Sequence, residues 1–231
     1  MAFLQRKHFK QNTKVKNRDM QAFIDNIKRN IQKELPGANA QYRMAHAVRR
    51  TYAPPPENAR RAAVLALLYP KNGEWFLVLI QRQATNPNDP HSGQISFPGG
   101  KMEADDPSIQ FTALREAEEE VGVAAESVHI LGKLSELFIP VSNFIVSPFV
   151  GYLDHEPTFT PQVTEVKGVL EIPFSALEDI SNIKLTKMKF GKNIILRDVP
   201  YFDVDGHVIW GATAMILSEF LETLGVITRE V

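Results

Sequence analysis

Two uninterrupted apolar runs, Ala62 to Tyr69 and Trp75 to Ile80, stand on either side of Asn72-Gly73. Asn-Gly is the dipeptide that most readily supplies the two positive φ angles of a tight hairpin turn, so the runs are expected to pair as antiparallel strands. Neither run alternates polar with apolar residues, so neither strand has a solvent face and the hairpin must be buried. The rest of the chain has to be arranged around it.

The remaining elements are intermixed along the sequence. Phe23, Ile24, Ile27, Ile31 and Leu35 recur at helical spacing from Asp19 onward, and Pro36-Gly37 ends the pattern. Residues 40–60 are polar and basic and close on Pro54-Pro55-Pro56, which reads as a connection into the main domain. Residues 83–92 form a polar loop with two prolines. Residues 107–121 read as a helix, with Pro107 in its first turn and Gly122 as its C-terminal cap. Strands are expected over 128–137, 144–153 and 165–172, with Pro140 and Pro157 in the loops between them. Asp205-Gly206 marks a second tight hairpin, and a closing helix runs from about Ala212 to Leu224. Strict βαβ alternation and internal repeats are both absent. An α/β or α+β fold around one mixed sheet follows, with a basic tail over 1–18, a helical extension and connection over 19–60, and the main domain over 61–231.

Charge and composition remove several functions. The 26 Lys and Arg against 27 Asp and Glu give a net charge of -1, which argues against nucleic-acid binding through bulk charge. With no Cys, the chain can form no disulfide framework, thiolate metal site or Cys nucleophile, and it suits a reducing, cytoplasmic setting. No apolar run is long enough to cross a bilayer, so no membrane partner is expected. Arg6, Lys7, Lys10, Lys14, Lys16 and Arg18 occur with no acid among the first eighteen residues. That composition reads as a solvated, flexible tail; a mitochondrial presequence would be richer in Arg and Ser.

Chemistry concentrates in residues 93–123. On a helix, Glu116, Glu119 and Glu120 fall at i, i+3 and i+4 and share one face. Three neighbouring anions weaken a helix unless a hard divalent cation such as Mg²⁺ or Mn²⁺ uses them. Gly99-Gly100 lies just upstream, where backbone can approach a ligand closely and offer a carbonyl to a metal. Arg115 reads as an orienting partner for the carboxylates. Each feature alone is ordinary, since glutamate-rich faces are usually solvated and Pro-Gly-Gly is usually a turn. In this order and spacing they point to a metal site.

The segment Gly100-x5-Asp106-x8-Arg115-Glu116-Ala117-x-Glu119-Glu120-x-Gly122-Val123 resembles the box of the Nudix hydrolases. Asp106 stands for that motif's first Glu, with one extra residue before Arg115. Both departures are similar to the branch of the family that cleaves coenzyme A. Further likeness to that branch lies in Gly93-Gln-Ile-Ser-Phe-Pro-Gly-Gly100, Thr112-Ala-Leu-Arg-Glu-Ala117, Leu35-Pro-Gly-Ala-Asn-Ala-Gln41 and Ile209-Trp-Gly-Ala-Thr-Ala214. The branch usually has Arg where Asp89 stands; Arg82, His91 or a base from the N-terminal segment could substitute.

The resemblance implies a Nudix fold, a mixed β-sheet sandwiched between helices. It implies Mg²⁺ or Mn²⁺ held by Glu116, Glu119, Glu120 and a carbonyl of Gly99 or Gly100. Arg115 would orient the glutamates, and either Glu116 itself or a later acid would be the base. Glu165, ahead of an apolar strand, is the best later candidate and Glu103 a weaker one. Glu118 is out of phase and should face away. Arg82, His91, Gly93, Ser96 and Phe97 would bind substrate.

The implied reaction is hydrolysis of the diphosphate of coenzyme A or a derivative, giving 3′,5′-ADP and 4′-phosphopantetheine. The alternatives are another nucleoside-diphosphate derivative (ADP-ribose, NADH or a dinucleotide) or a nucleotide-binding module without catalysis. The expected partner is a small molecule, and a homodimer is left open. Other chemistries lack their spacing. Gly-Gly-Lys is not a P-loop, the six His show no zinc pattern, and no Gly-x-Ser-x-Gly elbow is present. Trp75 and Trp210 read as core residues, while Tyr42, Met44 and His46 lie within reach of a ligand without a spacing that demands one.

Overall fold

The computed structural model describes residues 20–46, 49, 54–84, 93–190 and 194–227. The basic tail, Asp89 and His91 fall outside them. Among the described residues no helix is long and apolar enough to cross a membrane.

The buried hairpin forms as expected, from β1 (Arg60–Lys71) and β2 (Glu74–Arg82), paired from Leu68↔Leu77 to Lys71↔Glu74. Asn72 and Gly73 supply the turn with φ of 55° and 81°. Around it a mixed sheet is built. β1 pairs in parallel with β7 (Phe144–Tyr152) and antiparallel with β4 (Gly99–Lys101), while β2 pairs with β3 (Ile95–Ser96) and β8 (Val166–Pro173). β5 (His129–Lys133) and β6 (Leu137–Ile139) both pair with β7. The continuous strand expected over 128–137 is therefore two strands, interrupted at residues 134–136.

A second sheet of three strands, β9 (Ile183–Phe190), β10 (Ile194–Val204) and β11 (His207–Trp210), corrects the expectation of a single sheet. The Asp205-Gly206 turn joins the last two. The alternation Ile183-Lys-Leu-Thr-Lys-Met-Lys-Phe190 was the available signal for β9.

The period-two geometry of strands divides the apolar runs between two cores. Ala63, Leu65, Leu67 and Tyr69 of β1, with Val78 and Ile80 of β2, face helix α3 (Ile109–Val121). Ala62, Ala66 and Leu68, with Leu77 and Leu79, face the other way. There they meet helix α1 (residues 20–31), through Ile24, Ile27 and Ile31, and helix α5 (Gly211–Thr223). A mixed sheet flanked by helices, the Nudix-type α/β arrangement, is thus what the sequence builds.

Helix α1 ends at residue 31, short of Leu35. The segment read as a polar connection instead begins with helix α2 (Ala38–Gln41) and a 3₁₀ turn over Tyr42–Met44, and buries Ala40, Gln41, Met44 and Ala45. Helix α4 (Phe174–Glu178) follows β8 directly and buries Phe174 and Leu177.

Candidate functional site

Helix α3 begins one residue after Ser108, whose side chain accepts the Phe111 N–H at 3.1 Å, so Pro107 lies outside the helix. It ends at Gly122 with φ of 74°. Between these caps its apolar side packs on the sheet, and two of its carboxylates, Glu116 and Glu120, reach β4.

Arg115 organises the outer part of this face. Its Nε and Nη2 donate to the two oxygens of Asp106 at 2.9 and 3.0 Å, a bidentate pair. The same guanidinium lies 3.0 Å from Glu116 and 3.1 Å from Glu119. Asp106 also accepts from Thr112 Oγ1 at 2.8 Å and from the Glu103 N–H at 2.9 Å. The Arg115 guanidinium and these donors hold the Asp106 carboxyl far below the ordinary carboxylate range. Asp106 thereby ties the β4–α3 loop to the helix.

Deeper in, Glu120 is buried and accepts the Gly99 N–H at 2.8 Å, with Arg82 at 3.8 Å. Burial, assisted by the charges of Glu116 and Glu165, pushes Glu120 up to about 7. Burial likewise raises Glu116, against the opposing pull of Arg115. Glu116 lies over Gly100, where a Cβ would come within 2.4 Å of its carboxylate oxygen. At Gly99 a Cβ would fall 2.3 Å from the Ala63 carbonyl, at a φ of 149° that side chains rarely adopt. Gly99 is thus required by contact with the β1 backbone, whereas a side chain at Gly100 would displace the end of Glu116.

The loop ahead of β8 is tied to the same helix end. Thr160 N–H donates to the Val121 carbonyl at 2.9 Å, Gln162 N–H to that of Glu120 at 3.1 Å, and Gln83 N–H to that of Glu165 at 2.7 Å. These bonds bring Glu165, exposed in the turn before β8, close enough for its charge to raise both Glu116 and Glu120.

A cavity of about 600 Å³ opens beside the glycine pair, on the α5 side of the sheet. Its floor follows from strand register: Arg60, Ala62 and Val64 of β1, Phe144 and Val146 of β7, and Lys101 opposite Ala62 share one face. Ala212, Thr213 and Ile216 of α5 form its roof. Three cations, Arg60, Arg82 and Lys101, line it, and no carboxylate does so among the described residues. The Arg60 guanidinium stacks 4.0 Å over Phe144. Ser96 Oγ is buried in the wall with no hydrogen-bond partner among the described residues.

The NUDIX domain model matches residues 59–198. The chain is 36% identical over 167 residues to the uncharacterised Nudix hydrolase NudL of Yersinia pestis (strain Pestoides F), covering 72% of this chain and 81% of that protein. This chain belongs to the Nudix hydrolase family. NudL of Yersinia pseudotuberculosis (serotype O:1b, strain IP 31758) matches equally well over the same shares of both chains. Among solved structures, the Nudix hydrolase RenU of M. Smegmatis superposes with a TM-score of 0.50 at 15% identity, covering 74% of this chain and 89% of that one, a likeness of fold. The family is one of enzymes that hydrolyse phosphoric anhydrides, and it generally needs a divalent metal.

Of the residues singled out from sequence, Arg82, Ser96, Phe97, Gly99 and Gly100 line the cavity, and Glu116 and Glu120 adjoin it through the two glycines. Gly93 lines a neighbouring cleft with Gln81, Gln94 and Trp210 instead. Glu119 is turned outward, its side chain 57% exposed. Among the described residues no three Asp, Glu or His side chains converge as a ready-made metal cluster. Glu118 faces away, as its phase requires, and accepts the Ala125 N–H at 3.4 Å. Arg60, Asn143, Phe144, Thr213 and Ile216 were not anticipated. Only the period-two placement of Arg60 with Ala62 and Val64 could have signalled any of them.

Proposed function

We propose that this chain is a metal-dependent pyrophosphohydrolase that cleaves a diphosphate joining a nucleoside to a second group. One observation carries the reading: the buried Glu120 and the half-buried Glu116 repel each other beside the Gly99-Gly100 pair, at the edge of a cavity lined by cations. A divalent cation relieves that repulsion, and an anionic ligand suits the cavity. The donor set fits Mg²⁺ or Mn²⁺, since all the ligands are hard oxygens and the glycine backbone leaves room beside Glu116.

Glu116, Glu119 and Glu120, with a carbonyl of Gly99 or Gly100, would hold the metal. When bound, it neutralises diphosphate charge and lowers the pKa of water. The protein's own groups do the rest. Arg115, anchored bidentately on Asp106, offsets the repulsion between Glu116 and Glu119 and orients both carboxylates. Glu165 is the proposed base that takes the proton of the attacking water, with Glu116 as the second candidate. The water oxygen bonds to one phosphorus, the bridging P–O bond breaks, and two phosphate monoesters leave. Arg82, Arg60 and Lys101 bind the anionic substrate, and Ser96 Oγ offers an unused hydrogen bond inside the wall.

Family membership supports the broad substrate class, which includes ADP-ribose, NADH and dinucleotides. Coenzyme A is the finer reading, supported by the likeness of Gly93-Gln-Ile-Ser-Phe-Pro-Gly-Gly100 and the flanking motifs to the branch that cleaves it. A silent nucleotide-binding module fits less well, because Glu116, Glu119 and Glu120 are all present. Turnover of coenzyme A, ADP-ribose, NADH and diadenosine polyphosphates, compared side by side with Mg²⁺ and Mn²⁺, tests the proposal. Cleavage of at least one of them into two phosphate-bearing products is expected, 3′,5′-ADP and 4′-phosphopantetheine in the case of coenzyme A. Tight nucleotide binding without turnover would replace the enzyme by the binding module.

A further inference from the structure

Helix α5 is buried all round: residues 213–221 are inaccessible one after another. A helix of that kind needs cover on every side. The sheet covers one side, and the short segment Gly37–Ala45 covers another, burying Ala40, Gln41, Met44 and Ala45. This segment lies outside the residues matched by the family model, which begins at residue 59.

Polar groups fix how the segment sits. Ser218 Oγ donates to the Ala40 carbonyl at 2.8 Å, and Arg43 pairs with Glu222. Between these contacts lies Glu219, fully buried with no cation beside it in the described contacts. One of its oxygens accepts from Gln41 Nε2 at 2.7 Å and the other from the Ser135 N–H at 3.1 Å. Gln41 Nε2 also donates to the Ser135 carbonyl at 3.1 Å. Removing either partner of a buried carboxylate leaves a desolvated charge, so the triangle of Gln41, Glu219 and Ser135 tolerates little displacement.

Two walls of the cavity meet at this triangle. Glu219 is three residues beyond Ile216, on the same side of α5 as the cavity roof. Ser135 lies just before β6, whose last residue, Ile139, lines the opposite wall. We infer that Glu219, held by Gln41, is a positioning residue that sets α5 against β6, so that the segment ahead of the family domain completes the substrate cavity. The inference rests on the proposal that this cavity takes the substrate.

The test uses the full chain with Gln41→Ala, Glu219→Ala and the conservative Glu219→Gln, which keeps an acceptor for the Ser135 N–H. KM for ADP-ribose and for coenzyme A, kcat, and the calorimetric Kd for AMP are measured. Gln41→Ala and Glu219→Ala should raise KM and Kd about tenfold while kcat stays within about twofold, and Glu219→Gln, which keeps the Ser135 contact but sets an amide donor against Gln41 Nε2, should fall between Glu219→Ala and the wild type. A merely structural role predicts the reverse, because a smaller folded fraction lowers kcat and leaves KM and Kd alone. That result, or KM and Kd unchanged in Gln41→Ala, overturns the inference while wild-type turnover keeps the functional reading. A wild-type protein that neither hydrolyses these compounds nor binds AMP overturns both. Gln41→Ala, which deletes no charge, keeps the test decisive if Glu219→Ala fails to fold.

Discussion

The two helices that flank the sheet solve opposite problems. Helix α3 buries Thr112, Ala113, Ala117, Glu120 and Val121 and leaves its other side to solvent. Helix α5 buries nine consecutive residues, including Ser218 and Glu219. The first is stabilised from within its own neighbourhood, by Ser108, Gly122, Asp106 and Arg115, all between positions 106 and 122. The second depends on Gln41 and Ser135, which lie 178 and 84 residues away. The proposed chemistry therefore falls on the helix that can spare an exposed face, while the enclosed helix forms the roof of the cavity. Preorganisation of this kind limits the reorientation needed when substrate binds.

Substitutions that act on one helix alone would sharpen the contrast. The largest effect belongs to Glu120→Gln on α3, expected to lower metal-dependent turnover about a thousandfold with the melting temperature preserved. Steady-state assays beside thermal denaturation check it, and retained turnover would remove Glu120 from the proposed metal site. Phe220→Ala on α5 should do the opposite. Its ring is fully buried and packs edge-on against Phe174 at 5.8 Å, so a loss of about 4 kcal/mol is expected, with kcat per folded molecule unchanged. A collapse of kcat in the folded fraction would break the division between the two helices.

Asp106→Asn comes next, with a loss of about 3 kcal/mol because it leaves Arg115 without its main partner. The sign of its pH dependence follows from the pair. Asp106 titrates below its ordinary value of 3.8 in the folded protein, so its stabilisation is complete above that pH and lost as the pH falls through the folded value. Urea unfolding across the acid range should show a shallower decline for the variant, and parallel curves would mean that the pair contributes nothing. Ser108→Ala is the smallest change, about 1 kcal/mol from the lost cap of α3, measured by the same unfolding curves. A null result there would show that packing on the sheet, rather than the cap, sets where α3 begins.

Local signals were legible wherever one stretch of chain contained the whole cause. Asn72-Gly73 and Asp205-Gly206 demanded their turns because few other residues accept consecutive positive φ angles. Helix α3 was readable from its period and caps, and its departures from expectation amount to the two residues by which Ser108 delays its start. The polar connection after Pro36 misled because the partner that buries Gln41 is an acid on α5, and nothing local marks a Gln for burial. The division at residues 134–136 escaped for a similar reason: Ser135 turns its N–H to Glu219 instead of to a neighbouring strand. The floor of the cavity needed the pairing of β1 with β4 and β7 before Arg60, Lys101 and Phe144 could be seen to share a face.

By itself the sequence determined the buried hairpin, the α3 helix with Glu116, Glu119 and Glu120 at i, i+3 and i+4, and membership of the family those residues mark. Each depends on spacing along a single stretch of backbone, where geometry is set by short-range sterics and hydrogen bonding. Tertiary structure alone decided which glutamate is buried against Gly99, how the loop of Glu165 reaches the same place, and how α5 is enclosed. Those outcomes depend on contacts between residues far apart in the chain, where burial and competing charges select among arrangements that local propensity leaves equal.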